Sequence, residues 1–137
     1  MSNSTVEGTG SDSFGLSLSG GSANLSANSK VIGDLNGVIY GLDGSDELLS
    51  QLVLDKSSIE GKTGAAIVAD LGLNPLGPLV IQVLNGSTLS GGNGSILEVA
   101  GGTSVDFSVA NSQLNGNVTV QPGSAVSVSL DQSASLT

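Results

Sequence analysis

The chain has 137 residues, with 12 Asp and Glu against 3 Lys and Arg, a formal charge of −9, and no Cys, His or Trp. The basic residues are Lys30, Lys56 and Lys62, too few for the clustered cations that nucleic acid or an anionic membrane requires. Without Cys or His there is no disulfide, no Cys/His zinc site, no thiol nucleophile and no His-based triad.

Residues 1–15 open with "SNSTVEGTGSDS" after Met1. This stretch is polar, lacks the charged start of a secretory signal, and is expected to be a flexible N-terminal segment. No run approaches the ~18 apolar residues of a membrane span. The 21 Gly and abundant Ser and Asn raise the question of disorder, but 38% of residues are hydrophobic and fall into short alternating runs, so the chain is expected to fold.

From residue 16 onward one phrase recurs: an aliphatic residue, a polar corner, and a second aliphatic residue usually followed two positions later by Gly. It reads "LSANSKVIG" from Leu25, "LDKSSIEG" from Leu54, "VLNGSTLSG" from Val83, "VANSQLNG" from Val109 and "LDQSASLT" from Leu130. The second aliphatic positions are Val31, Ile59, Leu89, Leu114 and Leu136, at spacings of 28, 30, 25 and 22. A further column is expected eight residues later, at Ile39, Ile67 and Leu97, with Val120 as its counterpart in the shorter fourth unit.

Alternation within runs and a period of ~22–30 residues between them fit a right-handed parallel β-helix of about five coils, each with about three short strands. Like residues would then stack at the ~4.8 Å strand spacing. Asn28, Asp55, Asn85, Asn111 and Asp131 are expected to form a structural ladder at one corner, since Asn reaches left-handed backbone angles at little cost. The competing fold is an antiparallel β-sandwich. It usually needs larger core residues than this chain offers, with only Phe14, Phe107 and Tyr40 as aromatics.

Two stretches interrupt the pattern. "DELLSQLVL", Asp46–Leu54, is compatible with a short helical turn before the strand. "ADLGLNPLGPLV", residues 69–80, contains Pro75 and Pro78 and is expected to be a loop insertion, because proline cannot donate to a sheet ladder. Leu73, Asn74, Pro75, Leu76 and Pro78 are the candidate recognition loop, since loops on a rigid scaffold are where recognition concentrates.

The stretch "VLNGSTLSGGNGSILEVAGGTSVDFSVANSQLNGNVTVQPGSAVSVSLDQSASLT" resembles the passenger domains of Gram-negative autotransporters, particularly the pertactin-like type. The resemblance is good over residues 80–137, looser over 20–80 and absent in the first dozen. It implies a β-helical passenger fragment carried to the bacterial cell surface through the outer membrane, its signal peptide and C-terminal barrel lying outside this chain. It also implies a role in adhesion, self-association or virulence, with another copy or a surface ligand as partner. The integrin-type Arg-Gly-Asp tripeptide of some relatives is absent here.

Catalysis is the competing class, because parallel β-helices also host pectate lyases and polygalacturonases. The acidic stretch "DLNGVIYGLDGSDE" holds Asp34, Asp43, Asp46 and Glu47, a possible carboxylate pair for glycoside hydrolysis. "GLDGSDEL" also partly imitates the calcium nonapeptide of β-rolls, making Asp43, Asp46 and Glu47 a weak metal candidate. Solvated turn carboxylates are the simpler reading, so the expectation is a non-catalytic chain without cofactor. A structural stalk is the alternative, and a carbohydrate-active enzyme the second.

Overall fold

A computed structural model describes residues 2–18, 21–40, 50–70, 79–100, 104–131 and 134–136. In chain order the strands come in groups of three. The first group is β1 (Thr5–Gly8), β2 (Phe14–Leu18) and β3 (Gly21–Ser26). The second is β4 (Lys30–Gly33), β5 (Asn36–Tyr40) and β6 (Ser50–Asp55), and the third is β7 (Ser58–Gly61), β8 (Ile67–Asp70) and β9 (Leu79–Leu84). The fourth is β10 (Thr88–Gly91), β11 (Ser95–Ala100) and β12 (Ser104–Ala110). The chain continues through β13 (Gln113–Leu114), β14 (Asn117–Val120), β15 (Ala125–Leu130) and β16 (Ser135–Leu136).

Strands pair with their counterparts three strands on, except that β10 and β13 do not join, and every pairing is parallel. The sheets run β1-β4-β7-β10, β14-β11-β8-β5-β2 and β15-β12-β9-β6-β3, with a short β13-β16 ladder beside them. The molecule is therefore a parallel β-solenoid of about four turns, consistent with a right-handed β-helix. Parallel pairing throughout is incompatible with an antiparallel sandwich.

The core lies in the columns that these registers stack. Leu25, Leu54, Val83, Val109 and Leu130 align through β3, β6, β9, β12 and β15. The first four are buried, whereas Leu130, in the last strand, is 47% exposed. Beside them run Ala23, Leu52, Ile81, Phe107 and Val128. Period-two alternation sends these side chains inward and places Asn24, Val53, Gln82, Ser108 and Ser129 on the outer face between them. Val31, Ile59 and Leu89 align across β4, β7 and β10, while Leu114 aligns with Leu136 in the separate ladder.

The third column differs from the expected one. Val38, not Ile39, aligns with Ile67, Leu97 and Val118, while Ile39 aligns with Val68 on the outer side. Val120 aligns with Val99 and is 43% exposed. The corner between Gly33 and Val38 is one residue shorter than that between Gly61 and Ile67, and a one-residue offset exchanges the two faces of a strand. In the last unit the corner after Leu114 is shorter still.

Residues 50–54 are not helical but belong to β6, where Leu52 and Leu54 are fully buried. Parallel pairing to β3 and β9 buries them more completely than a turn of helix would. Residues 46–49 and 71–78 lie outside the described residues; residues 69–70 and 79–80 belong to β8 and β9. Within 1–15, β1 pairs in register with β4, Val6 opposite Val31.

Candidate functional site

The corner that precedes β1, β4, β7, β10 and β13 is built by one or two left-handed residues followed by serine. Asn3, Asn28, Lys56, Asn85 and Asn111 have φ of 49°, 67°, 52°, 56° and 50°. Ser29, Ser57, Ser87 and Ser112 follow, each two residues before Val31, Ile59, Leu89 or Leu114, and all are buried. Their hydroxyls satisfy the backbone where the strands end. Ser29 Oγ donates to the Ser26 carbonyl at 2.7 Å, Ser87 Oγ to Leu84 at 2.6 Å and Ser112 Oγ to Ala110 at 3.1 Å. Neighbouring coils use the same oxygens as acceptors: the Ser57 amide donates to Ser87 Oγ at 3.0 Å and the Gly86 amide to Ser112 Oγ at 3.1 Å. Among the described residues no buried side-chain polar atom lacks a partner.

The five residues expected at this corner occupy two successive levels of it. Asn28, Asn85 and Asn111 are left-handed, whereas Asp55 and Asp131 directly follow the first aliphatic residue of their phrases, one or two positions earlier. Asp55 closes β6 and aligns with Ser26 and Leu84. Side chains link the two levels. Asn85 Nδ2 donates to Asp55 Oδ1 at 2.9 Å, and the Asn111 amide donates to Asp131 Oδ1 at 3.3 Å.

Lys56 is the exception in this row. It is the residue that takes the left-handed angle where Asn stands in the corners at Asn28, Asn85 and Asn111. A long side chain there costs about 1–2 kcal/mol relative to a right-handed backbone, a cost that Asn offsets by local hydrogen bonding. Beside it an open groove of about 400 Å³ runs across three coils, lined by Asn28, Lys30, Lys56, Ser58, Asn85 and Thr88 among others. Lys30, Ser58 and Thr88 align in register along its strand side. Sequence reasoning did not single out this groove. The signal available was the appearance of "DKSS" where the corners at Asn28 and Asn111 read Asn before Ser.

The third lysine is engaged elsewhere. Lys62 Nζ lies 3.0 Å from Glu7 Oε1 and 3.4 Å from Asp34 Oδ1 and makes both ion pairs found among the described residues. The Gly10 amide donates to Asp34 Oδ2 at 2.8 Å. That backbone hydrogen bond, chiefly, and the Lys62 ammonium hold the Asp34 carboxyl below its ordinary value. Glu7, then Asp34, hold the Lys62 ammonium above its own. Asp34 therefore acts as a strut between coils. The other acidic candidates, Asp43, Asp46 and Glu47, lie outside the described residues, as do Leu73, Asn74, Pro75, Leu76 and Pro78. Among the described residues no three His, Cys, Asp or Glu side chains converge as a metal site.

Among the described residues the chain thus presents a polar corner groove with two lysines, outer faces of mixed polar and aliphatic residues, and apolar column ends. At one end stand Val6 and Phe14, 40% and 38% exposed; at the other stand Val120, Val128 and Leu130, 43%, 43% and 47% exposed. Compared with protein-family models, curated proteins and solved structures, the chain matches none.

Proposed function

We propose that this chain is a non-catalytic segment of a bacterial surface-exposed passenger of the autotransporter type, acting in adhesion or self-association. Two things support the reading: the stretch from Val83 to Thr137 resembles such passengers, and the repeated phrase folds into the kind of solenoid they imply. The observation that carries self-association is the state of the column ends. β15 is the edge of its sheet, and its inward-facing Val128 and Leu130 stand at a face that no further coil covers among the described residues. An edge strand with apolar neighbours is a template for another strand of matching register. The opposite end offers one in β3, whose Ala23 and Leu25 belong to the same two columns.

Work of this kind rests on shape, apolar contact and backbone hydrogen bonding, and it needs no reacting group. The stalk remains the second reading, favoured by the unbroken Leu25–Leu130 column, which makes the solenoid a continuous rod. Display of the chain on a non-adherent bacterium separates the two. Cells that settle or bind a surface because of it support the adhesin; cells that stay dispersed and unattached contradict it.

A further inference from the structure

The corner groove brings two of the three lysines of a strongly acidic chain to one concave surface. Neither Lys30 nor Lys56 takes part in an ion pair among the described residues, since both such pairs belong to Lys62. The rest of the lining is uncharged and rich in hydrogen-bonding groups: the Asn28 amide, the Ser58 and Thr88 hydroxyls, and Asn85, whose Nδ2 already donates to Asp55 Oδ1. We propose that this groove is a binding site for a carboxylated oligosaccharide, with Lys30 and Lys56 holding its carboxylates and the Asn, Ser and Thr side chains holding its hydroxyls.

Three features favour that class over other anions. The polar groups form two rows, Lys30–Ser58–Thr88 along the strands and Asn28–Lys56–Asn85 along the corner, each advancing one coil at a time. At ~4.8 Å per coil they span roughly 10 Å, a length suited to a short sugar chain. A phosphate or sulfate would instead need donors converging on one point. The formal charge of −9 disfavours polyanions with the charge density of a phosphate or sulfate chain, leaving ligands with no more than one carboxylate per sugar. Finally, Lys56 keeps a cation at the left-handed position before serine where the corners at Asn28 and Asn111 carry Asn, which places the charge on the groove rather than in the fold.

The proposal deepens the adhesin reading by giving it a ligand class, and rests on it for the ligand's source. The test is titration of the isotopically labelled chain with a galacturonate tetramer, followed by amide chemical shifts. A neutral glucose tetramer and inorganic phosphate serve as separate arms. The expected result is saturable shifts at residues 28–30, 56–58 and 85–88 with the galacturonate alone. Lys30→Gln and Lys56→Asn should each weaken binding by about tenfold, the loss of one charged hydrogen bond. Lys56→Asn installs the residue that precedes serine at Asn28 and Asn111 and eases the left-handed backbone angle, so an unchanged or raised urea midpoint would show that the fold is retained. Absent shifts, equal shifts with phosphate or the neutral sugar, or undiminished binding in both variants would overturn the proposal. Loss of the site while the chain still self-associates in sedimentation would overturn this inference and leave the adhesin reading in place.

Discussion

Ser87 Oγ accepts the Ser57 amide from the neighbouring coil at 3.0 Å while donating to the carbonyl of Leu84 in its own coil at 2.6 Å. One buried hydroxyl thus closes a corner and ties two coils together. Removing the hydroxyl strands the Ser57 amide, while the Leu84 carbonyl keeps the Lys56 and Ser87 amides as donors. Ser87→Ala is expected to lower the unfolding free energy by about 1–3 kcal/mol, read from the urea midpoint. Ser90→Ala, on an exposed side chain of the next strand, should change it by less than about 0.5 kcal/mol.

Glycine is required at two kinds of position here, and they should respond differently. Gly8, Gly33, Gly61 and Gly91 align in one column where the chain leaves the β1-β4-β7-β10 sheet. A Cβ on Gly61 would run into the Ala65 carbonyl and stand 2.8 Å from that of Leu35. Gly86, with φ +82°, has open space around it. Gly86→Ala should therefore cost only the strain of its backbone angle, about 1 kcal/mol. Gly61→Ala should cost more, because backbone must move. Thermal melts of the two variants check the order; equal losses would contradict it.

Column position should set the cost of truncating an aliphatic residue. Leu54 is fully buried between Leu25 and Val83, whereas Leu130 occupies the same column at 47% exposure. Leu54→Ala is expected to destabilise by about 2–5 kcal/mol. Leu130→Ala should cost less than about 1 kcal/mol, since its site borders solvent.

The Glu7–Lys62–Asp34 cluster predicts a pH window. The folded Asp34 carboxyl lies below its ordinary 3.8, so its contribution is present above that pH and is lost as pH falls through the lower folded value. The folded Lys62 ammonium lies above its ordinary 10.5, so its contribution is present below that pH and is lost as pH rises through the higher folded value. The urea midpoint of the native chain should exceed that of Asp34→Asn near neutrality, and the gap should narrow in acid. The effect should be modest and should shrink with salt, because all three side chains are partly exposed.

The repeat was legible where one residue type had to recur. Leu25, Leu54, Val83, Val109 and Leu130 each precede the same corner, so reading the phrase aligned them directly. The Val38 column was missed because parity across a corner depends on corner length, and the Gly33–Val38 corner is one residue shorter than the next. The first coil was missed despite its signal. "NSTVEG" from Asn3 repeats the spacing of "NSKVIG" from Asn28, and both Asn residues are left-handed. Its polar surroundings read as a flexible lead-in because an end coil needs little apolar content outside its inward column. The lysine groove was illegible for a different reason: its residues come from three coils and meet only once the register is known.

The central claim, that the solenoid associates through its open column ends, is tested most directly by sedimentation velocity over a wide concentration range. The native chain should show a sedimentation coefficient that rises with concentration, with or without calcium. Val128→Lys combined with Leu130→Lys should abolish that rise without unfolding the chain, since both side chains are nearly half exposed. A native chain that remains monomeric at every concentration, or a double variant that assembles as the native chain does, would contradict the claim.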